Sequence, residues 1–182
     1  MDMDPLGWRR RNDITGYVIA MWHLEDLLRA HRFDLRAVEE TLIPAAEHEA
    51  KRAALRTWYA GLMDQMLEEG LREKGHLQEV QGIVQELEYL HRTLIDVVED
   101  EAHRALLEAA TPGLEALRRA GSVQGGPILS CFTAVYGVML LQAQGKPVSD
   151  PTAEAEGHMR RLLEDLGRHY HRIHMLPGVS MN

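Results

Sequence analysis

Between Tyr17 and Arg29 the chain reads YVIAMWHLEDLLR. At about 100° per residue, Ile14, Tyr17, Val18, Met21, Leu24 and Leu28 fall on one face of a helix. Glu25 lies within roughly 60° of the middle of that face. The stretch is therefore an amphipathic helix that commits its apolar side to a core and carries a carboxylate into it. A charge so placed costs free energy unless it is paired or neutralised.

The same period recurs along the chain. Asp13 or Thr15 caps the first helix, which ends near His31, and Asp34 caps a short one from Leu35 to Ile43 that Pro44 stops. A long helix is expected from about Ala45 to Lys74, with Leu55, Trp58, Tyr59, Leu62 and Met66 as its stripe and Gly75 closing it. The next, from about His76 to Val98, carries Val80, Ile83, Val84, Leu87, Leu90, Leu94 and Ile95 on one face. Another runs from Asp100 to Ala110; Thr111-Pro112 is a kink or a fresh start, and the helix resumes to Ala120.

The residues from Gly121 to Pro127 form the clearest loop, and it lacks the Lys-Ser/Thr that closes a phosphate-binding loop. The helix Ile128 to Gln144 is apolar nearly all round and should be the most buried. Its small residues Ser130, Ala134 and Gly137 form a strip that would let another helix approach closely. A last helix follows Pro151-Thr152 to about Ile173, with Ala155, Met159, Leu162, Leu163, Leu166 and Tyr170 inward. Residues 1–12 are expected to be a mobile arm and 175–182 a mobile tail.

Good helix formers dominate, aromatics are only 5% of the chain, and no strand-like alternation is present, so the fold class is all-α. Residues 1–182 are read as one domain, an antiparallel helical bundle of about six or seven helices. A net charge of −8 gives no global field that would draw nucleic acid, and Arg9-Arg10-Arg11 is too short to alter this. No apolar run reaches the roughly 18 residues of a membrane span. Cys131 stands alone, which excludes an internal disulfide and suits a reducing compartment. The acidic start MDMDPLGW does not read as a secretory signal, so the cytoplasm is expected.

The informative residues are polar groups in apolar stripes. His91 sits between Leu87 and Leu94 on its helix, as Glu25 does on the first, and the two are expected to meet. His76 starts the same helix on the same side, and Glu88, one turn before His91, can reach it. Trp22 and Arg29 flank Glu25 at the rim, and Arg29 can reach a carboxylate of a neighbouring helix. Asp26 points away from the core.

The plain reading of Glu25, His91, Glu88, His76, Arg29 and Trp22 is a buried hydrogen-bonded cluster that fixes helix register. The sharper one is a ligand site. Glu88-x-x-His91 has the spacing of ferritin-like carboxylate sites, which makes Glu25, Glu88 and His91 the candidate metal ligands. A second such pair is offered only by Asp100-x-x-His103, near a helix end, so the motif is half present and no cofactor is implied. Arg168-x5-His174 matches a loose ribonuclease spacing, but His169, His171 and His174 read more simply as a solvated face. No Gly-x-Ser-x-Gly elbow or His-Glu-x-x-His motif occurs, and Cys131 reads as inert filling.

Tyr17-Val-Ile-Ala-Met-Trp22 with Glu25-Asp26 and Arg29, Trp58-Tyr59, Lys74-Gly75-His76-Leu77, Glu86-Leu87 through Leu90-His91, and Cys131-Phe132 to Tyr136-Gly137 before Leu140-Leu141 occur in an order that resembles a bacterial family described as domain of unknown function 4924. The resemblance spans nearly the whole chain. It implies an all-helical cytoplasmic protein of bacteria and carries no activity with it. The function expected is a non-catalytic binding or interaction protein that self-associates as a homodimer. The alternative is a small-molecule or metal-dependent enzyme centred on Glu25 and His91.

Overall fold

The computed structural model describes residues 4–45, 47–121 and 125–174. Among them are eight helices and no strand: α1 (Gly7–Asn12), α2 (Ile14–Ala30), α3 (Leu35–Leu42), α4 (Glu49–Glu68), α5 (Gln78–Asp96), α6 (Glu101–Arg119), α7 (Pro127–Ala143) and α8 (Asp150–His174). The all-α class expected from the sequence is the one observed. By internal contacts the chain divides into two compact units, Met1–Gly82 and Ile83–Asn182, and α5 runs across the division.

The first unit is organised on α2. Asp13 caps it by accepting from the Gly16 N–H, and Asp34 caps α3 by accepting from Arg36 and Ala37. Nine residues of α2 are buried, Glu25 among them. Residues 7–12 are not a free arm: they form α1, which packs on α2. The chain forms a separate short helix here because Asp13 is not helical (φ −149°, ψ 71°) and breaks the run between Asn12 and Ile14.

The helix expected from Ala45 to Lys74 is shorter at both ends, Glu49–Glu68, and it buries Leu55, Leu62, Met63 and Met66. The chain leaves it at Gly70 (φ 73°) and turns again at Gly75 (φ 95°). An L side chain at 75 would be strained by that φ and would meet Leu71 at 3.0 Å. The turn delivers His76 and Leu77 to the start of α5. Two carboxylates hold that start: Glu25 accepts from the Leu77 N–H at 3.0 Å and Glu69 from the Gln78 N–H at 2.7 Å. Negative charge at a helix N-terminus is favourable.

In the second unit α8 packs on α6 and α7. Asp100 caps α6 by accepting from the His103 N–H. Thr111-Pro112 does not restart the helix, which is continuous through Pro112. The ring removes one backbone donor, and the Thr111 hydroxyl donates to the Leu107 carbonyl at 2.8 Å beside the gap.

The close helix approach occurs at Gly113 rather than on α7. A Cβ at 113 would lie 2.7 Å from Met159 Cε and 3.1 Å from Ala155 Cβ of α8, whereas one at Gly137 would have nothing within 4 Å. For the same reason α7 is not the most buried helix. It buries six residues against nine in α2, because its small face is left uncovered. Residues 122–124 of the expected loop, and the tail 175–182, lie outside the described residues.

Candidate functional site

Glu25 is fully buried, as its stripe position required, but its partner is not His91. Its carboxylate accepts from His76 Nδ1 at 2.6 Å and from the Leu77 N–H. The His76 ring stacks on Trp22, with centroids 4.2 Å apart and planes 13° from parallel. Arg29 closes the turn from the other side. Its Nε donates to the Leu71 carbonyl at 3.0 Å, a second guanidinium nitrogen to the Gly75 carbonyl, and the third to Asp26 at 2.8 Å. Arg29 thus serves backbone carbonyls and its own helix, not a carboxylate of a neighbouring one. Of the six sequence candidates, Glu25, His76, Arg29 and Trp22 form this one cluster.

Beside it opens a pocket of about 510 Å³ within the first unit. Tyr17, Met21, Trp58, Leu62 and Leu77 give it an apolar and aromatic floor, and Arg10, Glu79 and Asp4 are its charged groups. Leu77 belongs to both features: its N–H is held by Glu25 and its side chain lines the pocket. The Arg10 guanidinium carbon lies 5.7 Å from the centre of the Tyr17 ring and the same group is ion-paired with Glu79. The Tyr17 hydroxyl is pushed up to about 12, first by burial and then by the Glu79 carboxylate, so it stays neutral.

His91 and Glu88 have separate work in the second unit. His91 Nδ1 lies 2.9 Å from His103 Nε2, and His103 Nδ1 donates to Asp165 at 2.8 Å. Asp165 also accepts from Arg168, and His169 lies 3.6 Å from both Asp165 and Asp100. His169 is therefore half-buried in a polar chain instead of on a solvated face, and Arg168 is engaged with Asp165. His174 stacks on Tyr170 one turn back. Burial would raise the Asp165 carboxyl, but hydrogen bonds from His103 and Arg168 hold it below the usual carboxylate value. His91 is pushed down to about 4, by burial first and then by His103.

Glu88 does not reach for a metal. One of its oxygens accepts from the Ile128 and Leu129 N–H groups at 2.9 and 3.0 Å, capping α7 from outside. Gly126, at the N-cap position, has no side chain to do this, and a Cβ there would sit 2.3 Å from Glu88 Oε1. The metal set Glu25, Glu88 and His91 is thus split among a turn, a cap and a histidine pair. Among the described residues no three His, Cys, Asp or Glu side chains gather as ion ligands. Cys131 is buried and its thiol is pushed up to about 12, by burial and then by Glu88.

The sequence reading missed Asp165 and the pocket, and it placed His103 only in a half-present metal motif near a helix end. His103 had a usable signal, since it lies seven residues before Ala110 and eleven before Leu114, the other buried positions of α6. A groove of about 650 Å³ also lies along the uncovered face of α7, lined by Gly113, Thr133, Ala134, Gly137, Leu141 and Ala155 among others. Neither this groove nor the pocket is lined by His91, His103 or Asp165. Among the described residues no helix is long and apolar enough to cross a membrane.

Compared with known proteins, residues 7–175 match the family model described as Domain of unknown function (DUF4924). No curated protein and no solved structure matches the chain.

Proposed function

We propose that this chain, which belongs to the family of domain of unknown function 4924, is a non-catalytic binding protein of the bacterial cytoplasm and that its site is the pocket of the first unit. The observation that carries the reading is the construction of the pocket: an aromatic and apolar floor with three charged groups at the rim. Small-molecule sites have this composition, an apolar body with a few placed polar groups. The Glu25–His76–Leu77 cluster supports the reading as a brace, since it fixes the turn from which Leu77 and Glu79 face the pocket. The single, buried cysteine supports a reducing compartment.

Gly61 provides the test. It lines the pocket, and a side chain there meets nothing within 4 Å. Gly61→Phe should fill the space without disturbing the helix. Small molecules released by denaturing the purified wild-type protein, identified by mass spectrometry, should be missing from this variant. Identical compounds from both proteins would refute the pocket as the site.

The reading extends to self-association as a homodimer. What supports it is the small-residue face of α7, which no helix of its own unit covers at Gly137. A strictly monomeric mass by light scattering at tens of micromolar protein would refute it.

A further inference from the structure

The pocket of the first unit already holds a cation of its own. Arg10 reaches in from α1, lies over the Tyr17 ring and pairs with Glu79. Neither member is locked away: their side chains are 48% and 43% exposed. An exposed pair of this kind is weak and exchangeable. Tyr17 beneath it and Trp58 elsewhere in the lining are the ring types that attract cations most strongly.

The remaining rim decides the sign of the ligand. Asp4 and Glu79 are both carboxylates, while Thr57 and Gln65 are neutral. With Arg10 withdrawn, the site presents two negative groups over two aromatic faces. An anionic ligand would have to take Arg10 from Glu79 while facing Asp4. A cationic one meets complementary charge at each point. The neutral Tyr17 hydroxyl adds no repulsion to either.

We propose that the pocket binds an organic cation, an amine, amidine or guanidine attached to an apolar or aromatic body, and that Arg10 is a tethered competitor which the ligand displaces from Tyr17 and Glu79. The inference rests on the binding reading above and adds the ligand class to it.

Three probes share one ring and differ in charge: benzamidine, benzamide and benzoate. They are titrated into the full-length protein by calorimetry, and the indole N–H resonance of Trp58, assigned with Trp58→Phe, reports where they bind. Arg10→Met keeps the apolar stem of the side chain, and Arg10→Ala is the second variant should the first fold poorly. Benzamidine should bind Arg10→Met roughly two- to fivefold more tightly than wild type, the range that losing an exposed competing cation–π contact spans. Benzamide and benzoate should bind that variant about tenfold more weakly than benzamidine, and adding Glu79→Gln should narrow the difference between benzamidine and benzamide, with Asp4 and the aromatic lining keeping the rest. Equal binding of all three probes to Arg10→Met, or tighter binding of benzoate, would overturn the cation assignment and leave the pocket reading intact. Equal affinity of benzamidine for wild type and Arg10→Met would overturn the role of Arg10. If no probe moves the Trp58 resonance in any variant, this inference and the binding reading fall together.

Discussion

Removing the Glu25 carboxylate should be among the most damaging single changes in the first unit, and the loss can be worked from its contacts. The side chain is fully buried and accepts two hydrogen bonds, from His76 and from the Leu77 N–H. In Glu25→Ala the two donors fare differently. The His76 side chain is 30% exposed and can turn to water, whereas Leu77 is only 1% exposed and its N–H is stranded. An unsatisfied buried donor costs about 1–3 kcal/mol, and the cavity left by the missing side chain adds to it. The sum is about 3–4 kcal/mol. His76→Ala removes one of the two donors to the carboxylate and leaves the Leu77 N–H in place, at a cost of about 1–3 kcal/mol. Glu25→Gln should cost less, about 1–2 kcal/mol, since the amide oxygen still accepts from Leu77 while the charge assistance is lost.

All three tryptophans, Trp8, Trp22 and Trp58, belong to the first unit, so fluorescence-detected urea unfolding reports on that unit alone. The Glu25→Ala/His76→Ala cycle should show coupling above about 1 kcal/mol, while Glu25→Ala with His91→Ala should be additive within about 0.5 kcal/mol because they share no partner. A Glu25→Ala cost below about 1 kcal/mol, or stronger coupling of Glu25 to His91 than to His76, would refute the reasoning.

Glu88→Ala should destabilise the second unit by about 1–2 kcal/mol through loss of the α7 cap, and Gly126→Ala should do much the same; the double variant should lose little more, since both remove one contact, and full additivity in circular-dichroism melts would count against it. Gly113→Val should cost about 1–3 kcal/mol by forcing α6 and α8 apart at Ala155 and Met159, and an unchanged melting temperature would refute that packing. His91 should make the protein acid-sensitive. Its value is about 4 when folded against about 6.5 unfolded, so the unfolded chain binds the proton first: stability is full above about pH 6.5 and falls on acidification toward pH 4, by about 3 kcal/mol in all. His91→Gln should flatten that part of the urea-midpoint profile relative to wild type, and an identical slope in both would refute it.

What was legible in the sequence was local. Asp13 and Asp34 cap helices as read, and Asp100, expected as the first residue of its helix, caps it instead, because a cap depends only on a short side chain and the N–H groups two or three residues on. The faces of α2 and α5 were legible too, since a helix turns by a fixed angle, and so Glu25 and His91 are both buried. A face, however, does not name its partner. Both residues needed one, and the sequence offered each to the other because both sat on helices. The true partner of Glu25 lies in a turn, where no wheel applies: His76 is aimed by the positive φ of Gly75 and held by Arg29 through two backbone carbonyls. The true partner of His91 sits on a helix and was within reach of the same wheel. His103 was weighed as half of a metal motif, and its place on the buried face of α6 went unused.

Small residues on α7 misled in the opposite way. Ser130, Ala134 and Gly137 permit a close approach without requiring one, and the second unit makes its close approach at Gly113 instead, where Ala155 supplies the matching small surface on α8. A strip of small residues is a licence that only a complementary strip can use, and complementarity between segments some forty residues apart is a property of the packed unit. The pocket follows the same logic. Tyr17, Trp58 and Leu77 were each legible as apolar positions, but a cavity exists only where three separate elements fail to fill the space between them. Arg10, on a helix of six residues, was the least conspicuous of its parts, and it is the one that reports the charge the site prefers.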